Sequence, residues 1–174
     1  MGTAPGEPGY TRALPHVTVD ELTGLLEHLA QLPNGRHDIY QVADDLQLGS
    51  DHLLSLIEAA ELLSFVTVNE GDITITPLGH TFADASILAR KEILATRIRR
   101  LPLFRWLLAM LHAADNGQLE LDVVQAALEL DFPAEEAKRQ LETIINWGRY
   151  AELFAYDEDA GRFYLETEDM AVST

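Results

Sequence analysis

Six histidines and 29 carboxylates are the side chains of this 174-residue sequence best suited to moving protons or holding a metal. The histidines are His16, His28, His37, His52, His80 and His112. No two stand in the HxxxH or HExxH spacing that sets two ligands on one helical face. The carboxylates are scattered, and none is singled out as a catalytic pair. Cysteine is absent, which excludes a thiolate zinc site, a cysteine nucleophile and a disulfide framework, and suits a reducing cytoplasm. The run Asp157-Glu158-Asp159 lies near Gly161 but lacks the twelve-residue calcium-loop pattern and reads as a polar hairpin turn. No GxxxxGK[ST], GxGxxG or GxSxG string occurs, so neither a phosphate cradle nor a nucleophile elbow is encoded. The expectation is a protein with no catalytic residue, cofactor or metal of its own.

The charge narrows the choice of partners. Twelve basic residues against 29 acidic ones leave a net charge of −17, which repels nucleic acid and anionic membrane at long range. Half of the cations fall in one stretch: Arg90, Lys91, Arg97, Arg99, Arg100 and Arg105. They read either as a solvated face pairing with nearby acids or as a stripe that docks an acidic protein surface. Met1–Tyr10 has neither the basic start nor the apolar run of a signal peptide. The most apolar stretch, Leu101–Ala114, is interrupted by Arg105 and His112 and is shorter than the ~20 residues of a membrane span. A soluble, cytoplasmic protein without membrane insertion is expected.

The elements that would position these residues are mostly helices. Residues 1–14, rich in Gly and Pro, read as a flexible lead-in. Thr18 and Glu21 form a capping box ahead of a helix with Leu22, Leu25, Leu26 and Leu29 on one face. Asp38–Leu46 is a second helix. After Leu48-Gly49-Ser50, with Ser50 as N-cap, Asp51–Leu63 is a third, with Leu53, Leu54, Ile57, Ala60 and Leu63 as core. Phe65–Val68 and Ile73–Thr76 form a hairpin, stopped by Pro77-Leu78-Gly79. Two helices, a tight turn and a hairpin make a winged-helix pattern. Ala85–Arg100, carrying Ile87, Leu94 and Ile98, and Leu103–Ala114 are two further helices separated by Pro102.

The pattern then recurs at an offset of about 84 positions, which lays Gln125 on Gln41, Leu130 on Leu46 and Trp147 on Leu63. The second hairpin pairs Ala151–Tyr156 with Arg162–Glu166. The fold expected is mainly α with small β-hairpins: a first winged-helix-like unit over 15–84, bridging helices over 85–115, and a second such unit over 116–168.

Winged helices often read DNA, and the sequence speaks against it here. A reading helix needs Arg, Lys, Asn or Gln on its exposed face. The first unit would present Asp51, His52, Ser55, Glu58 and Glu61, and its hairpin Asn69, Glu70 and Asp72. The second helix of the second unit mixes Lys138, Arg139 and Gln140 with Glu135, Glu136 and Glu142.

The string Asn146-Trp147-Gly148-Arg149-Tyr150-Ala151-Glu152-Leu153-Phe154-Ala155-Tyr156-Asp157 closely resembles the end of the AAA-associated C-terminal domain. That domain is found behind the ATP-binding subunit of nitrate, sulfonate and taurine-type ABC transporters. Leu14-Pro15-His16-Val17, Ala59–Phe65, Glu70-Gly71-Asp72-Ile73, Thr76-Pro77-Leu78-Gly79, Phe82-Ala83 and Arg90-Lys91-Glu92-Ile93 agree with it. The resemblance covers about Leu14 to Glu166. In the family's common form a nucleotide-binding cassette precedes the domain; here fourteen residues do, as expected of a free-standing version or an excised domain.

The resemblance implies an accessory or regulatory role beside an ABC importer ATPase, with that subunit, or a second copy of the chain, as partner. Arg97, Arg99 and Arg100 are candidate docking residues, with Trp147, Arg149 and Tyr150 at the helix-to-strand corner, since Arg, Tyr and Trp anchor many interfaces. Trp147 also reads as core, and Gly148 as a helix C-terminal residue with positive φ. The rival readings are a winged-helix transcriptional regulator and a small-molecule or metal sensor. In about 150 mM salt, where phosphate attraction is already screened, a mobility-shift titration should show no tight, sequence-dependent duplex binding; such binding would restore the regulator.

Overall fold

Thr18 opens the first helix as its spacing from Glu21 predicts. In the computed structural model, which describes residues 13–166, α1 (Val19–Ala30) begins with the full capping box. The Thr18 N–H donates to Glu21 Oε1 at 2.9 Å, and the Glu21 N–H donates to Thr18 Oγ1 at 3.2 Å. Leu22, Leu25, Leu26 and Leu29 are buried along one face. The lead-in expected at 1–14 lies almost wholly outside the described residues.

The chain divides into two compact units, one spanning Pro15–Arg97 and one made of Ile98 onward together with the residues up to Leu14. The helices expected over 85–115 are divided between them.

In the first unit, α1 is followed by β1 (Arg36–Asp38), α2 (Ile39–Leu46), α3 (Ser50–Leu62), β2 (Val66–Asn69), β3 (Asp72–Ile75), α4 (Pro77–Asp84) and α5 (Ile87–Ile98). The strands form an antiparallel sheet in the order β1-β3-β2. The hairpin is where the sequence put it, within a residue or so. The third strand was missed, because three polar residues carry no alternation to read. Pro77 starts a helix as well as ending the ladder: Thr76 Oγ1 accepts the Gly79 N–H at 3.0 Å and caps α4. Gly49, not Ser50, is the N-cap of α3. α1 packs against α3 and α4, and Phe65 stacks on Phe82 at 4.9 Å between ring centres. Two apolar assignments fail. Leu54 is 56% exposed and Leu56 takes its place in the core, and Ile87 is 71% exposed at the start of α5.

The second unit contains α6 (Pro102–Ala113), β4 (Gln118–Glu120), α7 (Leu121–Leu128), α8 (Ala134–Tyr150), β5 (Ala155–Asp157) and β6 (Arg162–Tyr164). Its sheet has the order β4-β6-β5. α6 packs on α8 and β4 through Leu103, Phe104, Leu107 and Leu111. The chain is therefore mainly helical, with two small antiparallel three-stranded sheets. Among the described residues no helix is long and apolar enough to cross a membrane.

The two units share one connection order, β-α-α-β-β, and the same closing contacts. The Ile39 N–H donates to Gly71 O at 2.9 Å, and the Leu121 N–H donates to Gly161 O at 2.8 Å. Each glycine sits in its hairpin turn with positive φ, 85° and 64°, a backbone that suits residues without a Cβ. The offset between the copies is not constant. It is 82 from Ile39 to Leu121, 84 between the N-caps Gly49 and Pro133, 88 between the left-handed residues Ser64 and Glu152, and 90 between the turn glycines. The largest step falls inside the second helix of the pair, which has 17 residues in α8 against 13 in α3, about one extra turn. Trp147 therefore matches Ala59 rather than Leu63. Leu128 rather than Leu130 matches Leu46, and Leu130 is 78% exposed.

Glu21 links this architecture to pH. Burial alone would raise its pKa, but the Thr18 N–H, the His52 ring and the Thr18 hydroxyl outweigh burial and hold it below the usual 4.5. A carboxylate depressed in the folded state contributes stability above its unfolded pKa and loses that contribution as pH falls through the folded value. Glu21→Gln should lower the urea midpoint at neutral pH, and the gap from the parent chain should narrow as the pH falls through the acid range. An equal gap at neutral and acid pH would show that Glu21 acts without its charge.

Candidate functional site

The basic stretch does not form a free stripe. Arg97, near the end of α5, donates from Nε to Leu63 O at 3.1 Å and from Nη2 to Ser64 Oγ at 2.8 Å. It thereby satisfies a carbonyl that α3 leaves unbonded at its C-terminus, where a cation also complements the helix dipole. Arg90 does the same for α4, donating to Phe82 O at 3.0 Å, to Ala83 O and to Glu27, with its guanidinium over the Phe82 ring. Of the proposed docking residues Arg97, Arg99 and Arg100, the last two are exposed, in the turn after α5.

The corner at Trp147 is built for packing. Trp147 is 0% exposed, and its ring lies parallel to Phe104 at 6.3 Å. Gly148 is inside α8 and does not have positive φ, contrary to expectation. Its role is close approach, since a Cβ there would sit 2.2 Å from the Phe154 ring. The left-handed residue that turns the chain is Glu152, φ 57°, with the Leu153 N–H donating to Gly148 O at 3.0 Å. Arg149 stays at the surface, its Nη1 3.3 Å from Glu158 Oε1, and Tyr150 is half-buried.

Gln140, grouped above with the exposed polar residues of its helix, is fully buried. Its amide brackets the main chain of one residue, Leu14, through that residue's N–H and its carbonyl. The Leu14 N–H donates to Gln140 Oε1 at 2.8 Å, and Gln140 Nε2 donates to Leu14 O at 3.0 Å and to Glu136 Oε2 at 2.8 Å. A side-chain amide can both donate and accept, which lets it close this ring.

Beyond these residues, one face of α8 is hollowed. Three open depressions, of about 580, 450 and 610 Å³, run from α7 along α8 to β5. Glu135, Lys138, Glu142, Ile145 and Arg149 line them from α8, at steps of three and four that place them on one helical stripe. Tyr156 of β5 borders all three. Its phenol pKa is raised by burial first, and then by Glu158 and Asp157, with Arg149 opposing. The periodicity of the stripe was legible in the sequence. The hollow was not, because it depends on where the hairpin folds back.

Four histidines of the first unit meet acids. His28 Nε2 lies 3.1 Å and His37 Nε2 3.6 Å from Asp45 Oδ2, while His52 pairs with Glu21 and His80 with Asp84. Gln41, first, and His28 keep the Asp45 pKa below its ordinary value. Among the described residues no group of three or more His, Cys, Asp and Glu side chains is placed to hold a metal ion.

The profile of the C-terminal AAA-associated domain matches residues 40–157, which run from α2 to the end of β5 and include most of the hollowed face. The chain belongs to that family. Neither the curated proteins nor the solved structures contain a significant match to it. Membership points to an accessory module of AAA/ABC proteins.

Trp147→Ala should cost roughly 3–5 kcal/mol of folding stability, the usual effect of deleting a large buried aromatic. Denaturant melts of the variant within about 1 kcal/mol of the parent chain would mean that the core closes over the loss and that Trp147 is dispensable to it.

Proposed function

We propose that this chain is a non-catalytic accessory and regulatory module of an ABC-type importer ATPase, working in the cytoplasm through protein–protein contacts. Membership of the AAA-associated family carries the reading. It is supported by the open hollow that α8, about one turn longer than its counterpart α3, fronts in the second unit. Arg99, Arg100, Arg149 and Tyr150 are the docking candidates left at or near the surface. By binding the ATPase, or by pairing with a second copy, the module would shift the ATPase between states, and it can do so only to the extent that its affinity for those states differs.

The β-α-α-β-β order of each unit favours a second reading, a winged-helix regulator acting on DNA. The exposed side of α3 argues against it, since Asp51, Leu54, Glu58 and Glu61 would meet phosphates there.

Affinity capture with the purified chain should retain the cognate ABC ATPase subunit, and the chain alone should hydrolyse no ATP. Arg99→Glu with Arg100→Glu should slow association and flatten its salt dependence while the fold persists. Equal capture of parent and double variant would remove these arginines from the interface. Failure of both to capture the ATPase would defeat the transporter reading.

A further inference from the structure

The hollow beside α8 combines two properties that together specify what can lie in it. Its floor is apolar at the α7 end, with Leu121, Ala134, Leu141 and Ile145, and turns more polar toward β5, where Phe154 and Tyr156 supply the apolar surface. Its rim is acidic. Asp122, Glu135, Glu142, Glu152, Glu158 and Glu166 line it, against Lys138 and Arg149, and Arg149 is already engaged with Glu158. Burial first, and then Glu158 and Asp157, raise the pKa of Tyr156 at the centre of the hollow.

We propose that this hollow receives a short basic segment of a partner protein, its aliphatic side chains on the floor and its Lys or Arg side chains at the rim. The reading deepens the partner role proposed above and gives that partner a chemistry. Charge disfavours the other occupants. A second copy carries −17, which opposes its approach at long range. Residues 167–174 of the same chain carry Glu168 and Asp169 and no cation. A nucleic acid would set phosphates against six carboxylates, which costs affinity. A basic segment gains from the field in both encounter rate and register, while the apolar floor selects against a merely charged one.

Fluorescence anisotropy with a labelled amphipathic Lys/Leu peptide, and with its Glu/Leu counterpart, tests this directly. In about 150 mM salt the Lys/Leu peptide should bind and the Glu/Leu peptide should not. Glu142→Lys with Glu158→Lys should weaken binding roughly tenfold. Asp44→Lys with Glu61→Lys makes the same change in net charge on the first unit and should alter binding less than about twofold. Lys138→Glu should tighten it, a gain that no loss of folding can imitate. No binding, equal weakening by both double variants, or a weaker Lys138→Glu complex would each overturn the proposal. Peptide binding in the hollow without capture of an ABC ATPase would leave this inference standing and remove the transporter role. Capture that persists undiminished in Glu142→Lys with Glu158→Lys would do the reverse.

Discussion

A helix that ends inside a small unit leaves carbonyl oxygens that something must satisfy, and much of this structure follows from how that is done. At the end of α3, Ser64 turns left-handed so that the Phe65 N–H reaches Ala60 O at 2.9 Å, and Arg97 supplies the remaining donor to Leu63 O. Arg90 serves the end of α4. At the end of α8, Glu152 repeats the left-handed turn. Two more arginines fasten the short outer strands, Arg36 to Asp72 at 2.6 Å and Arg162 to Glu120 at 2.9 Å. A chain with twelve basic residues has thereby fixed four of them in caps and ion pairs, while Arg99 and Arg100 stay exposed.

What the sequence made legible was whatever rests on local geometry. The capping box at Thr18, the period of the leucines in α1 and both hairpins are set within a few residues of chain, and each was placed to within a residue or a few. The β1 and β4 strands were illegible because three residues have no usable period, and they exist through pairing with strands more than thirty positions away. Leu54 and Ile87 were misplaced because a leucine or isoleucine on a helix reads as core whichever side the neighbouring helices occupy. The arginines at 90 and 97 were visible as a cluster. Their targets were not, since a backbone carbonyl has no signature in the side-chain sequence. Gln140 was hidden for the same reason, its partner being the main chain of a residue 126 positions away.

The comparison of the two units shows how a duplicated plan diverges. Both keep the closing bond from a turn glycine to the first helical N–H, and both keep the left-handed exit from the second helix. The additions lie between these fixed points: two residues between the helices, four within α8, two in the hairpin turn. The four matter most, because about one whole turn lengthens a helix while keeping its buried face in register. That added length carries the stripe from Glu135 to Arg149, and so α8 borders a hollow while its counterpart α3 presents a plainly acidic flank.

The bracket that Gln140 places on Leu14 makes the second unit discontinuous in sequence. Its main body starts at Ile98, yet one of its buried residues lies ahead of everything in Pro15–Arg97. In topological terms the first unit is an insertion within the second. During synthesis Leu14 leaves the ribosome early and waits for Gln140, while the 15–97 segment, a compact unit, can fold in the interval. Closing the outer unit is then the non-local step, and its loop entropy is reduced because the intervening chain has already collapsed. A fragment begun at Ile98 would contain every described helix and strand of the second unit and still lack Leu14, whose N–H and carbonyl Gln140 holds.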